Sequence, residues 1–214
     1  IASMAEAAQG RAPVDFDQSP ISGPVDLNPI QEWFFSRGDT TPDHFNMPAL
    51  FAAPSIEPDR FREALAAVVR HHDALRARFP LADGKRSQEI DEPGGPVPVD
   101  SVDLSGMSAD DVSEELARAA AADHARLDLE QSPLVRGVVF TTPEGMDDRA
   151  LVIVHHLVVD AVSWRVLAED LDTAYAALGR EQVVELTPKT TSVQDWAAAL
   201  VEHVDYGPTM LAFA

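Results

Sequence analysis

The sequence has no cysteine among its 214 residues. This absence excludes disulfide bonds, thiolate metal ligands and a cysteine nucleophile, and it is typical of a reducing compartment, so we expect a cytoplasmic location. The sequence also lacks an apolar run of about 18 residues, the length that a membrane-spanning helix needs. The region after Ile1 has no basic start followed by an apolar block, so no secretory signal is expected. A first residue other than methionine indicates a piece of a longer chain.

Positive charge is scarce as well. The 16 Lys and Arg residues are outnumbered by 36 Asp and Glu residues, which gives a net charge of −20. Because such a surface repels phosphate groups and anionic lipids, neither a nucleic acid nor a membrane is expected as a partner. The 45% of hydrophobic residues is typical of a globular protein. A chain of this length buries roughly 70% of its unfolded surface, so a substantial core is expected.

The spacing of apolar residues predicts an α/β fold. Runs of β-branched and aromatic residues predict strands at 44–53, 134–142 and 149–155. Apolar stripes with a helical period, each after a suitable first residue, predict helices that begin near Pro58, Ser108, Ala161 and Ser192. A hairpin is predicted between 74–79 and 85–90, while 92–100 is predicted to be irregular and 1–27 to be a linker.

Two adjacent histidines, His155 and His156, end the last predicted strand. Successive side chains of a strand point to opposite faces, so we expect one ring to enter a cleft and the other to pack behind it. A neutral imidazole near pH 7 can accept a proton and return it, which makes His156 a candidate general base. The alternative is a pair of core histidines whose hydrogen bonds are satisfied within the fold.

The residues after the histidines have structural interpretations too. Asp160 directly precedes a predicted helix, and its carboxylate can accept the backbone N–H of Val162 or Ser163 as an N-cap. We favour this role, or another structural one, over acid–base chemistry. A metal site in this motif is not expected, because neighbouring strand histidines diverge and no further histidine lies nearby. Ser163 lacks the G-x-S-x-G turn of a nucleophile.

A second histidine pair, His71 and His72, lies at the end of a predicted helix beside charged residues. We interpret this pair as structural, with Arg76 as the expected ion-pair partner.

Six segments, in order, resemble the condensation superfamily of nonribosomal peptide synthetases. Three of them are similar to signatures of the whole superfamily: "HHLVVDAVSW" (155–164), "RHHDALRARF" (70–79) and "LDLEQSPLVRGVVF" (127–140). The other three are similar to the epimerization-domain branch: "NPIQEWFF" (28–35), "VSWR" (162–165) and "TSVQDWAAAL" (191–200). The order and spread of these segments make the resemblance to the superfamily specific.

The resemblance implies a chloramphenicol-acetyltransferase-like fold, in which two lobes of mixed β-sheet flanked by helices face each other across a tunnel. Residues 28–205 would form the N-terminal lobe, 1–27 the linker from a preceding carrier region, and 206–214 a tail that matches nothing. The C-terminal lobe would be missing from this chain. As a single lobe, the chain would be catalytically incomplete.

The resemblance also implies a function. The substrate would be an aminoacyl or peptidyl thioester on the 4'-phosphopantetheine of a peptidyl carrier protein, and the reaction would be L-to-D epimerization at Cα. His156 would be the acid–base residue, while His155, Asp160, Ser163 and Trp164 would support the site. The lobe itself would bind no cofactor and no metal, and its partners would be the carrier protein, the C-terminal lobe and neighbouring synthetase modules.

Two other functions remain open: a condensation domain that forms a peptide bond between two carrier-bound substrates, and a carrier-docking lobe without catalysis.

One departure from the family also bears on activity, because Ala161 occupies the position of the signature glycine. If that position needs a positive φ or a close approach to the pantetheine, alanine costs about 1–2 kcal/mol. If it is simply the first helical residue, alanine is harmless.

Overall fold

The computed structural model describes residues 16–203. In chain order, the strands are β1 (Gly23–Val25), β2 (Asn46–Ala53), β3 (Ala77–Arg78), β4 (Leu81–Ala82), β5 (Lys85–Arg86), β6 (Gln88–Ile90), β7 (Val99–Asp103), β8 (Val135–Thr141) and β9 (Asp148–His155). The α-helices are α1 (Pro29–Ser36), α2 (Pro58–His71), α3 (Ala109–His124), α4 (Ser163–Gly179) and α5 (Val193–His203). Short 3₁₀ helices cover Pro42–His44 and Asp73–Arg76.

The central sheet has four strands in the order β2-β9-β8-β7. Strand β9 pairs antiparallel with both β2 and β8, while β7 pairs parallel with β8. The parallel pair requires a crossover connection, and α3 lies within it. The sheet is therefore mixed, and β9, which ends at His155 and leads directly into His156, lies in its interior.

Helices cover both faces of this sheet. Val135 and Val139 of β8 belong to a core cluster shared with α2 and α4, whereas Val138 and Phe140 belong to a second cluster shared with α3. This alternation follows from the two-residue period of a strand. Both faces of β8 and β9 are buried, which explains why these strands have near-continuous apolar runs in the sequence.

A second, smaller sheet has the strand order β1-β6-β3. Val25 of β1 is buried with Phe79 and Ile90 in a third apolar cluster. The predicted linker is therefore wrong for Gly23–Val25, since these residues pair antiparallel with β6. Their Pro- and Gly-rich composition carries no strand signal, because an edge strand of three residues needs only backbone pairing. Residues 1–15 of the predicted linker lie outside the described part of the chain.

Most of the predicted elements are confirmed, with shifts of a few residues at their ends. The cap predicted at Ser108 is present, since its Oγ accepts the N–H of Asp111 at 3.3 Å. The cap of the last helix is also present, with Asp195 N–H donating to Ser192 Oγ at 3.0 Å. The predicted hairpin turns at Asp83 and Gly84, both with positive φ, as in a type I′ turn.

The main element that the sequence fails to predict is β7. Residues 92–100 are irregular by composition, but Val99–Asp103 form a strand of the central sheet. Its sequence, VDSVD, is short and half polar, so its strand conformation depends on pairing with β8.

The predicted tail at 206–214 lies outside the described residues. Within 16–203, none of the helices combines the length and apolar character needed to cross a membrane.

Candidate active site at the end of strand β9

His155 is the last residue of β9, and its side chain is fully buried. Its Nε2 donates to the carbonyl oxygen of Pro42 at 2.9 Å, and its Nδ1 accepts the N–H of Leu157 at 3.1 Å. These two partners fix the neutral tautomer with the proton on Nε2. Burial lowers the pKa of His155 below its usual range, although the Pro42 carbonyl and Asp43 act in the opposite direction. His155 therefore holds the backbone around it and is already saturated with hydrogen bonds.

His156 follows the end of the strand and is only partly buried. Its ring lies parallel to the ring of Phe45, with centroids 4.8 Å apart and an angle of 9° between the planes. Its backbone N–H donates to the carbonyl oxygen of Phe45 at 2.8 Å. Within residues 16–203, neither ring nitrogen of His156 has a hydrogen-bond partner. Stacking thus fixes the plane of the imidazole and leaves both nitrogens available to a substrate.

Asp160 caps the start of α4. Its Oδ1 accepts both the backbone N–H and the hydroxyl of Ser163, each at 2.7 Å. The hydrogen bond from the backbone N–H is the largest cause that lowers the pKa of Asp160 below its usual range, and the bond from the hydroxyl is the second. The carboxylate is exposed, and the carbonyl oxygen of Asp160 accepts the N–H of Trp164 at 3.1 Å. Asp160 therefore caps the turn that leads into α4, as expected from the sequence, whereas Val162, which directly precedes the helix, makes no side-chain cap.

We expect Asp160→Ala to lower the free energy of unfolding by about 0.5–2 kcal/mol, because the first turn of α4 loses its acceptor. Asp160→Asn should lose much less, since asparagine is an equally good cap. Urea unfolding of both variants measures the difference. Equal losses in the two variants would contradict the capping role.

Ala161 does not have a left-handed backbone. Among the described residues, the non-glycine residues with positive φ are Asp83 and Glu181. The alternative in which alanine is strained by a positive φ is therefore wrong for this chain, while a cost from close approach to the pantetheine stays a prediction. Trp164, two residues into α4, is partly buried and packs against the core cluster between the sheet, α2 and α4. Its indole Nε1 is buried and has no hydrogen-bond partner among residues 16–203.

Gln31 of α1 is a supporting residue that the sequence analysis does not single out. Its side chain is buried, its Oε1 accepts the N–H of Asn28 at 2.9 Å, and its Nε2 donates to the carbonyl oxygen of Leu157 at 3.3 Å. The bond to Asn28 completes a capping box, which the N-x-x-Q spacing indicates. The bond to Leu157 spans 126 positions of the chain and attaches α1 to the loop that follows the histidines.

Aromatic rings complete this attachment. Phe34 of α1 meets the ring of His155 edge-on, with centroids 6.1 Å apart, and lies 5.3 Å from the ring of Phe45. Phe45 in turn stacks on His156. One aromatic cluster therefore contacts both histidines, and α1 positions the pair through it.

The second histidine pair has different partners from those predicted. Arg76 forms its ion pair with Asp73, so its expected pairing with the histidines is wrong. His72 Nε2 lies 2.7 Å from the Oδ2 of Asp170, a buried residue of α4. The spacing along the chain could not show this contact, because Asp170 belongs to a distant helix.

Stability should fall as the pH falls from 7.5 to 5.5. Burial lowers the pKa of both His155 and His72 below 6.5, the ordinary value. The unfolded chain therefore takes up protons near pH 6.5 that the folded chain does not, so stability is fully present above this pH and is lost below it. Urea unfolding at the two pH values measures the change, and His155→Gln should reduce the slope. A free energy of unfolding that is constant or rises toward pH 5.5 would contradict the prediction.

The mixed sheet and its flanking helices have the chloramphenicol-acetyltransferase-like fold of condensation domains, which confirms the predicted fold class. The starter condensation domain of rhizomide synthetase shares this fold, with a TM-score of 0.69 and 19% identity over 83% of this chain and 45% of that one. The epimerization domain from the third module of tyrocidine synthetase B has a TM-score of 0.82 and is 34% identical, over 87% of this chain and 42% of that one.

The sequence comparisons define the family. The model of the condensation domain matches residues 21–204, so the chain belongs to the condensation-domain family of nonribosomal peptide synthetases. Chondramide synthase of Chondromyces crocatus is 37% identical over 202 residues, which are 94% of this chain and 5% of that protein. Tyrocidine synthase 1 of Brevibacillus parabrevis is 34% identical over 190 residues, 88% of this chain and 17% of that protein. The chain thus spans a small part of these relatives.

Proposed function

We propose that this chain is the N-terminal lobe of an epimerization domain, which converts the L-residue of a carrier-bound aminoacyl or peptidyl thioester to its D-form. The observation that carries the proposal is the similarity to the tyrocidine epimerization domain, with a TM-score of 0.82. The condensation domain of the enacyloxin polyketide synthase, at 26% identity, has a TM-score of 0.62. The "PIQEWFF" and "VSWR" segments of this chain support the same branch.

In this proposal His156 removes the α-proton. The thioester carbonyl acidifies that proton, and a base whose ring nitrogens have no protein partner within residues 16–203 is suited to take it. The parallel ring of Phe45 at 4.8 Å limits rotation of the imidazole, so the base is positioned before the substrate arrives. His155, Asp160, Ser163 and Trp164 hold the backbone on both sides of the base.

Inversion at Cα needs a second proton-transfer group on the opposite face of the substrate. We assign that group to a C-terminal lobe, because this chain spans 42% of the solved epimerization domain. Exposed apolar side chains support a covering partner: Phe45, which stacks on His156, is 47% exposed, and Val162, which directly precedes α4, is 78% exposed. The other proposed partners are a peptidyl carrier protein, which presents the substrate on its 4'-phosphopantetheine, and the neighbouring synthetase modules.

The direct test uses the two-lobed domain with its upstream carrier, loaded with a peptidyl thioester that is deuterated at Cα. Exchange of the deuterium with solvent is followed by mass spectrometry, and the released residue is analysed on a chiral column. We expect loss of deuterium and a mixture of L- and D-products. Retention of the deuterium in an intact two-lobed protein would overturn the proposal.

Condensation is the second candidate, since the family model that matches the chain is that of the condensation domain. It is distinguished by adding an acceptor carrier with its own aminoacyl thioester to the same reaction. Amide formation without deuterium loss would indicate condensation. Binding of the carrier without either reaction would indicate the non-catalytic docking lobe.

A further inference from the structure

A cluster of metal-ligating side chains lies away from the His156 loop. His71 ends α2, His72 follows it, and Asp170 belongs to α4. One potential ligand atom from each of the three residues lies within 4.8 Å of the other two. All three residues line a cleft of about 520 Å³ between the end of α2, the first half of α4 and the segment before α5. The proposed function gives this cluster no role.

The hydrogen bonds of His71 leave one nitrogen available as a ligand. Its Nε2 lies 2.9 Å from the carbonyl oxygen of Thr187, and a carbonyl can only accept, so this nitrogen carries the proton. Nδ1 then has the lone pair. Histidines that bind metals usually donate their other N–H to a carbonyl or carboxylate, and Thr187 meets this requirement.

His72 and Asp170 supply the other two ligands. His72 Nε2 and Asp170 Oδ2 are 2.7 Å apart, and a tetrahedral Zn²⁺ site with bonds of about 2.1 Å would separate them to roughly 3.4 Å. The ion would replace the hydrogen of this contact, while the proton on Nε2 moves through solvent to Nδ1, so the imidazole remains neutral.

Asp170 supplies the negative charge of the cluster. It is 5% exposed, and within residues 16–203 it pairs with His72 and with no lysine or arginine. The lysine that lines the same cleft, Lys189, is paired to Asp73 at 3.0 Å. The net charge of −20 adds a general attraction for cations.

We propose that His71, His72 and Asp170 bind a divalent transition-metal ion, for which Zn²⁺ is the best match. Two imidazole nitrogens and one carboxylate oxygen form a donor set that suits Zn²⁺ and excludes a preference for Mg²⁺ or Ca²⁺, which take oxygen ligands. The remaining coordination position faces the cleft, where a water molecule can occupy it. The ion joins α2 to α4 and, through Thr187, to the segment that leads into α5. This inference does not depend on epimerization.

The test is titration of the full, chelator-treated chain with Zn²⁺ by calorimetry, and with Co²⁺ by visible absorption. We expect one ion per chain, the d–d bands of a low-symmetry site with Co²⁺, and a melting temperature that rises with the Zn²⁺ concentration. Mg²⁺ should neither bind nor compete. A dissociation constant in the millimolar range, or equal competition by Mg²⁺, would overturn the proposal.

Variants localise the binding. Asp170→Asn and His72→Asn each remove a proposed ligand and should lower the affinity for Zn²⁺ by at least about 10–100-fold. Loss of a residue that only orients a metal ligand already has an effect of that size. Because Asp170 is buried, His71→Gln provides a variant at a partly exposed position whose folding is less at risk. His44→Ala, which removes a histidine outside the cluster, is the matched control and should leave the affinity unchanged. Unchanged Zn²⁺ affinity in His71→Gln, or an equal loss in His44→Ala, would show that the ion binds elsewhere.

Discussion

Replacing His156 by alanine in the two-lobed domain is expected to slow exchange of the substrate α-deuterium by about 10²–10⁴-fold, the range that a positioned acid–base group contributes. The fold should be little affected, because the side chain is partly exposed and makes no hydrogen bond within residues 16–203. Its contact with Phe45 is a ring stack, whose loss costs about 0.5–1.5 kcal/mol. A large kinetic effect with a small change in melting temperature is therefore the expected pattern.

Two controls separate proton transfer from a structural effect. His44→Ala removes a histidine next to Phe45 in sequence and should exchange deuterium like the unmodified protein. Imidazole added to His156→Ala should restore part of the rate, because the space left by the ring can admit a free base. Exchange within tenfold of the unmodified rate would exclude His156 as the base. A slow variant that also unfolds and gains nothing from imidazole would assign His156 a structural role.

The largest stability effect is expected at Arg76. Its guanidinium is 3% exposed, forms an ion pair with Asp73, and donates to the carbonyl oxygens of Ile21 and Asp91. Arg76→Met would leave the buried carboxylate of Asp73 with Lys189 as its remaining ion-pair partner among the described residues, and two carbonyls without their donor. Breaking a buried pair in this way costs about 3–5 kcal/mol. We expect this loss in the free energy of unfolding measured with urea.

The matched control for Arg76 is Arg118→Met. Arg118 also pairs with an acidic residue three positions earlier, Glu115, but its side chain is 70% exposed. Exposed pairs contribute about 0–1 kcal/mol, so this variant should unfold nearly like the original chain. Equal losses in the free energy of unfolding of the two variants would show that burial is not the reason why the Arg76–Asp73 pair stabilises the fold.

The difference between these two pairs shows how much the sequence predicts. Both have the same spacing, and sequence alone gives no reason to rank them. Arg76 is buried because the segment that leads into β1 and the residue after β6 pack over it, and this segment belongs to the predicted linker. Its contribution therefore follows from long-range packing, which the spacing of apolar residues does not encode.

The candidate site also combines features that local sequence patterns predict with features that long-range packing decides. The pair of histidines at a strand end, the cap at Asp160 and the family motifs are all local patterns, and hydrogen bonds between residues three or four positions apart decide the cap. The alternation of side chains along a strand predicts that the two histidines point to opposite faces. It does not say which face is covered, so it does not say which histidine is buried. The contacts of His155 with Pro42 and of His156 with Phe45 decide it, and both residues lie shortly before β2.

Local patterns in the sequence predict a globular α/β protein, the order of its main strands and helices, and the caps of α3 and α5. They also carry the resemblance to condensation domains. These features depend on the period of apolar residues and on hydrogen bonds between near neighbours. Three others required the folded molecule: which imidazole is saturated, which residues hold α1 to the histidine loop, and where His72 meets Asp170. These contacts join residues about a hundred positions apart, and only the packing of α1, α2 and α4 against the sheet brings them within hydrogen-bonding distance.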